Sequence, residues 1–223
     1  MALGGSVTAT RDTRHRWLAG LGLLLTLGPV LAHLNQFGER YLGMTPLQSR
    51  DLFWWAMLAF VLFYVLVVER LPLASIGLKR PDWKTLAYGL GAVVVIFAIE
   101  PLVEMVRIAL HAAGQQGSAA SNAIVAMPWW YRFALVTRAG IVEEVVFRGY
   151  AIERTETLTG SRVAAFVVSV VTFSLAHLAY WGWGALIGVT AIGALLTLLY
   201  QWRRDLGANM LAHFLVDGIQ LLL

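Results

Sequence analysis

The chain has 223 residues, of which 59% are hydrophobic and 13% charged, with a formal net charge of +4 and no cysteine. A soluble domain carries about 25% charged residues, so this composition excludes an ordinary water-soluble enzyme and reads as one polytopic membrane domain. The missing cysteines exclude disulfides, thiolate metal ligands and a thiol nucleophile.

Residues 1–16 are polar and place Arg11, Arg14 and Arg16 just before the first apolar run. That run, 17–34, is long enough for a transmembrane helix and longer than the apolar core of a signal peptide. Val30-Leu31-Ala32 also fits a cleavage pattern, which leaves a removed leader as the alternative. Residues 52–68 form a second span. Residues 69–83, with two prolines and several basic side chains, read as a loop with room for a short surface helix. A third span lies in 84–111, interrupted at Glu100-Pro101, and the small, polar stretch 112–122 reads as a loop. The fourth long helix, 129–156, opens on an interfacial Trp129-Trp130-Tyr131 belt. Spans at 162–178, 184–202 and 207–223 follow, the first two separated by a second aromatic turn, Tyr180-Trp181-Gly182-Trp183.

The expected fold is therefore an all-α, polytopic transmembrane helical bundle of about seven spans around a polar intramembrane cavity. The arginine and lysine bias sets its orientation. With the N-terminus cytoplasmic, Arg11, Arg14, Arg16, Arg70, Lys79, Arg80, Lys84, Arg154, Arg162, Arg203 and Arg204 fall inside, and the outer loops hold only Arg40 and Arg50. This placement explains the basic balance without nucleic acid. It gives a cytoplasmic segment 1–16 and a single transmembrane domain 17–223.

Residues 140–150 read G-I-V-E-E-V-V-F-R-G-Y. An ionisable group at membrane depth costs at least about 2.5 kcal/mol on insertion scales, and so marks function. On a helix, Glu144 and Arg148 share a face in the favourable acid-before-base order. Glu143 is rotated by about 100° from Glu144. One carboxylate is thus held by the arginine and the other is left for chemistry.

Three further polar groups lie within spans. His177 follows Phe173 by one turn, His213 and Asp217 share a face at i and i+4, and Glu100, Glu104, Arg107 and His111 form a stripe on the third span. Each has a structural reading: a membrane histidine as a helix–helix hydrogen-bond partner, His213 and Asp217 satisfying each other, the mixed-sign stripe neutralising itself along a cavity wall. Their joint occurrence on separate spans is hard to explain as independent packing.

The set suits hydrolysis. A partly desolvated glutamate takes a proton from water with help from a neutral histidine, and a second histidine with a hydrogen-bonding neighbour stabilises the oxyanion. Zinc held by Glu143, His177 and His213 is an alternative, since two histidines and a carboxylate make a catalytic zinc pattern. The H-E-x-x-H helix motif and the G-x-S-x-G elbow are both missing.

The ordered trio E-E-x-x-x-R (Glu143, Glu144, Arg148), F-x-x-x-H (Phe173, His177) and H-x-x-x-D (His213, Asp217), with Gly149 after the arginine, resembles the CPBP family. That family includes type II CAAX prenyl endopeptidases and the bacteriocin-processing or self-immunity Abi proteins. The resemblance covers about 129–219, the expected catalytic core. It implies an intramembrane endopeptidase in which Glu143 and His177 activate water, His213 and Asp217 form or support the oxyanion site, and Glu144 and Arg148 support them. The implied partners are the bilayer and a membrane-embedded or lipid-modified protein or peptide. An ionised Asp217 is a poor oxyanion donor and would have to be protonated or orient His213. The family leaves zinc against a metal-free mechanism open, and the metal-free form is preferred here.

Two other functions fit the same residues: a non-catalytic protein for bacteriocin self-immunity or scaffolding, and an ion-coupled transporter. One geometric conflict also stands. Straight helices at 1.5 Å per residue put Glu143 about 10 Å and His213 about 9 Å from the cytoplasmic side, but His177 roughly 22 Å from it.

Overall fold

In lipid every backbone N–H and C=O needs an internal partner, and the apolar runs accordingly fold as helices. The computed structural model describes residues 4–111 and 118–222, and no strand occurs among them. In chain order the helices are α1 (Gly4–Leu31), α2 (Phe37–Leu42), α3 (Pro46–Phe63), α4 (Trp83–Ala109), α5 (Ser118–Val125) and α6 (Trp129–Arg138). Then come a π-helical segment (Ala139–Tyr150), α7 (Ala151–Thr159), α8 (Arg162–Trp181), α9 (Trp183–Arg203) and α10 (Leu206–Leu222). A π-helical turn (Tyr64–Val68) extends α3, and short 3₁₀ turns sit at Leu34–Gln36 and Leu73–Ile76.

Among the described residues, four helical stretches are long and apolar enough to cross a membrane: Pro46–Val68, α4, α8 and α9. The pair Thr13–Leu31 and Leu34–Leu42, bent by 55°, makes a fifth if it counts as one span. The chain is thus an all-helical integral membrane protein with four to five apolar candidate spans. The expectation of about seven also counted the motif helix and α10. The first carries too many charges to score as an apolar span, and the second is a shorter apolar helix.

Four local expectations change. The polar N-terminal residues are helical from Gly4 onward as part of α1. Pro101 sits inside α4 without ending it. Of the expected loop 112–122, residues 112–117 lie outside the described residues and Ser118 already begins α5. The short helix in 69–83 is not a surface element: Ile76 is fully buried. The reason is a plug under the motif helix. A Cβ at Gly149 would stand 2.8 Å from the Ile76 carbonyl oxygen, so only glycine lets the two backbones approach. The next carbonyl, of Gly77, accepts the Leu206 N–H at 2.9 Å and so seats the start of α10.

A buried ion pair holds the plug in place. Arg154 on α7 donates to both oxygens of Glu69 (Nε to Oε1 2.8 Å, Nη2 to Oε2 2.7 Å), and Tyr150 donates to Glu69 Oε1 at 3.2 Å. Arg154 Nη2 also reaches the Ser75 hydroxyl at 3.2 Å. The apolar core lies alongside, where Trp54, Val61 and Tyr64 of α3 and its extension meet Phe147 and Tyr150. The Tyr64 hydroxyl donates to the Leu18 carbonyl at 2.9 Å and ties α1 to this core.

Gly149→Ala drives a methyl into the plug backbone and is expected to cost about 1–3 kcal/mol, as overpacking does. Gly91→Ala is its control, because nothing lies within 4 Å of that Cβ. Thermal unfolding in detergent should show a lowered midpoint for the first and an unchanged or raised one for the second.

Candidate active site

The motif helix runs unbroken from α6 through the π-helical segment into α7 and stops at Gly160, whose φ of 68° is a left-handed cap. Ser161 then caps α8 by accepting from the Ala164 N–H at 3.1 Å. This tight turn makes α7 and α8 an antiparallel hairpin. Glu143 lies about 16 residues before Thr159, roughly 24 Å, and His177 about 15 residues after Arg162, roughly 22 Å. The two therefore sit at the same level, and the height conflict disappears once both are measured from the Gly160–Ser161 turn that joins the two helices.

Glu143 Oε2 and His177 Nε2 face each other at 3.5 Å. The other histidine nitrogen, Nδ1, lies 2.7 Å from the Phe173 carbonyl oxygen. A carbonyl only accepts, so Nδ1 carries a proton, and in the neutral ring Nε2 turns its lone pair toward Glu143. Two acceptors thus oppose each other on the wall of the cavity that both side chains line. Glu143 Oε2 is itself buried without a hydrogen-bond partner.

Glu144 is engaged completely differently. Fully buried, its Oε1 accepts from Arg148 Nη1 and from His213 Nδ1, both at 2.8 Å, and its Oε2 accepts from Asn209 Nδ2 at 3.1 Å. Arg148 Nη2 donates to the Gly193 carbonyl at 3.2 Å, and the guanidinium lies over the Phe173 ring, 4.1 Å from its centre. His213 Nε2 faces Asp217 Oδ2 at 3.5 Å. The ring thus has a carboxylate facing each nitrogen.

The two glutamates are thus served by separate partners. Glu143, His177 and Asp217 line a small cavity of about 90 Å³, together with Trp54, Arg50 and Arg138. A larger one of about 300 Å³ adjoins it and is lined by His177, His213 and Asp217, and by Glu100, Glu104 and Arg107 of the α4 stripe. Within that stripe Arg107 donates to Glu104 at 2.7 Å. His111 is exposed beyond it.

The proposed zinc set does not converge. His213 Nδ1 is held by Glu144, its Nε2 faces Asp217, and of the two histidines Glu143 pairs with His177. Among the described residues no group of three or more histidine, aspartate or glutamate side chains is arranged to hold a metal ion.

Sequence reasoning missed Asn209 and Arg138. Asn209 was findable: it precedes His213 by one turn, so Asn209, His213 and Asp217 form one stripe at i, i+4 and i+8. Arg138 is buried, 3.9 Å from Glu143 Oε1 by Nη1 and 3.1 Å from Asp51 Oδ1 by Nε. Five residues separate it from Glu143, a spacing that meets on the wider π turn and not on an α-helix.

Residues 125–219 match the family model described as "Type II CAAX prenyl endopeptidase Rce1-like". The uncharacterized protein YpbD of Bacillus subtilis (strain 168) is 36% identical over 78 residues, which cover 34% of this chain and 36% of that protein. The chain thus spans only about a third of the relative it matches. No solved structure matches it. The matched segment holds every motif side chain of the site, and residues 125–219 are thus similar to the type II CAAX prenyl endopeptidases of that family model.

Proposed function

We propose that the protein is a glutamate-dependent intramembrane endopeptidase acting on a membrane-embedded or lipid-modified protein or peptide. The observation that carries this reading is the Glu143–His177 pair, two acceptors 3.5 Å apart with the histidine tautomer dictated by the Phe173 carbonyl. When the pair opens to about 4.4 Å, a water entering from the cavity donates one hydrogen to each. Glu143 takes a proton as the water oxygen attacks the scissile carbonyl carbon, and His177 holds the other hydrogen so that the oxygen lone pair points at the substrate. The tetrahedral oxyanion is met by His213 Nε2–H, oriented by Asp217 and by Glu144 behind it. As the C–N bond breaks, the proton on Glu143 passes to the amine nitrogen, leaving a carboxylic acid and an amine. His213 is thus held on its far side by a carboxylate, which serves the second glutamate's role without any contact with substrate.

The same reading takes the motif helix and α10 as two further spans, shielded from lipid by their neighbours, with the N-terminus cytoplasmic. Substrate enters through the larger cavity, which opens beside His213 and Asp217.

Glu143→Gln keeps the shape of the side chain and removes the base. At matched protein level in membranes, peptide termini that depend on the protein should vanish with this substitution. Termini that persist would refute the role of Glu143, and a phenotype indifferent to it would move the assignment to a scaffold or immunity protein. Cleavage by the purified protein in nanodiscs should survive 1,10-phenanthroline, because the mechanism routes no step through a metal; abolition by the chelator, with rescue by zinc, would overturn that part. Stability should separate the two glutamate systems. Arg148→Ala leaves Glu144 buried without its counter-charge and should cost about 3–5 kcal/mol, whereas Glu143→Gln should leave the unfolding midpoint nearly unchanged.

A further inference from the structure

The smaller cavity carries an arrangement that water activation does not use. Arg50 and Arg138 both line it, beside Glu143. Nε and Nη2 of Arg50 and Nη1 of Arg138 are buried without a hydrogen-bond partner, and Nε of Arg138 has only its ion-pair contact with Asp51. A guanidinium offers five N–H donors, and buried donors left without acceptors are uncommon and costly.

The charges nearby do not account for them. Asp51 pairs with Arg138 Nε at 3.1 Å and accepts the Tyr131 hydroxyl at 2.7 Å, so it is committed behind Arg138. Glu143 stands 3.9 Å from Arg138 and is needed as the base. Arg50 has no ion-pair partner among the described residues; its guanidinium lies over the Tyr180 ring, 4.4 Å from the centre, which fixes its plane and leaves its edge open. Stacked and pre-oriented in this way, an arginine presents the fork that suits bidentate binding of a planar carboxylate.

We propose that Arg50 and Arg138 form a carboxylate subsite for the peptide substrate, with Arg50 as the anchor and Arg138 placing the bound anion relative to Glu143. The subsite lies in the cavity that shares His177 and Asp217 with the larger one, so a chain occupying both cavities passes the water-activating pair with an anionic group at one end. That group is either the substrate's C-terminal carboxylate or an acidic side chain near the scissile bond. The proposal rests on the endopeptidase reading for its substrate, and its binding test is independent of turnover.

The test uses the full-length Glu143→Gln protein in phosphatidylcholine nanodiscs and three fluorescein-labelled apolar hexapeptides: a free acid, its C-terminal amide, and the amide with one internal glutamate. Fluorescence anisotropy should show the free acid bound at least tenfold more tightly than the plain amide if the terminus is recognised. If a side chain is recognised instead, the glutamate-bearing amide should show that preference. Arg50→Ala, which lies outside the buried Glu144 network, should bring the preferred peptide down to the level of the plain amide, and Arg50→Lys should restore part of the difference. Equal binding of all three peptides, or a preference that survives Arg50→Ala, would overturn the proposal. In the protein with Glu143 intact, amidation of a cleaved free-acid peptide should raise KM with little change in kcat. Selective binding without any cleavage would sink the endopeptidase reading and leave the subsite standing. Cleavage with no discrimination would do the reverse.

Discussion

The structure depends on one buried ion pair. Glu144 and Arg148 are both fully inaccessible in an apolar bundle, where an unpaired charge costs several kcal/mol. The pair persists because every neighbouring helix contributes to it. α10 supplies His213 and Asn209, α9 the Gly193 carbonyl, and α8 the face of Phe173. Gly193 is part of the same solution, since a Cβ there would stand 2.8 Å from the Phe173 ring. Satisfying two charges thus fixes the relative register of the motif helix, α8, α9 and α10 in a way that apolar packing alone would not.

That register divides the labour between adjacent glutamates. Glu144 is saturated with donors and acts as a fixed negative charge behind His213. Glu143, one residue away, has an oxygen without a donor and a histidine lone pair across from it. The difference arises from what surrounds each carboxylate, since the two side chains are chemically identical. The π-helical backbone contributes directly. Its wider turn brings Arg138 toward Glu143, and a π-helical segment of this kind is frequent at functional sites.

Much of this was legible in the chain. The charge-poor composition and the apolar runs identified a helical membrane protein, and spacing alone put Glu144 with Arg148 and His213 with Asp217. Other features were hidden for identifiable reasons. The sequence carries the motif helix to Glu156, and what holds its charged end, which reaches Thr159, is hidden: Glu153 and Glu156 are paired with Arg204, and Arg154 with Glu69. Those partners lie far away in sequence, so no local pattern announces them. The same holds for Arg50 and Asp51, which reach the site from α3. The plug at Leu73–Ile76 looked like a surface turn because its prolines and basic neighbours are polar, whereas its burial follows from the absence of a side chain at Gly149.

The sequence by itself determined the class of the protein, the faces on which its charged residues lie within each helix, and the family motif that unites them. These depend on composition and on helical period, which are local properties. Only the tertiary structure decided which histidine serves which glutamate, that Glu144 backs His213 as well as Arg148, and that Glu143 and His177 stand at one height. Those pairings require helix ends, turns and interhelical levels to be known to within a hydrogen-bond length. A shift of one helical turn, 5.4 Å along the axis, is enough to break every one of them.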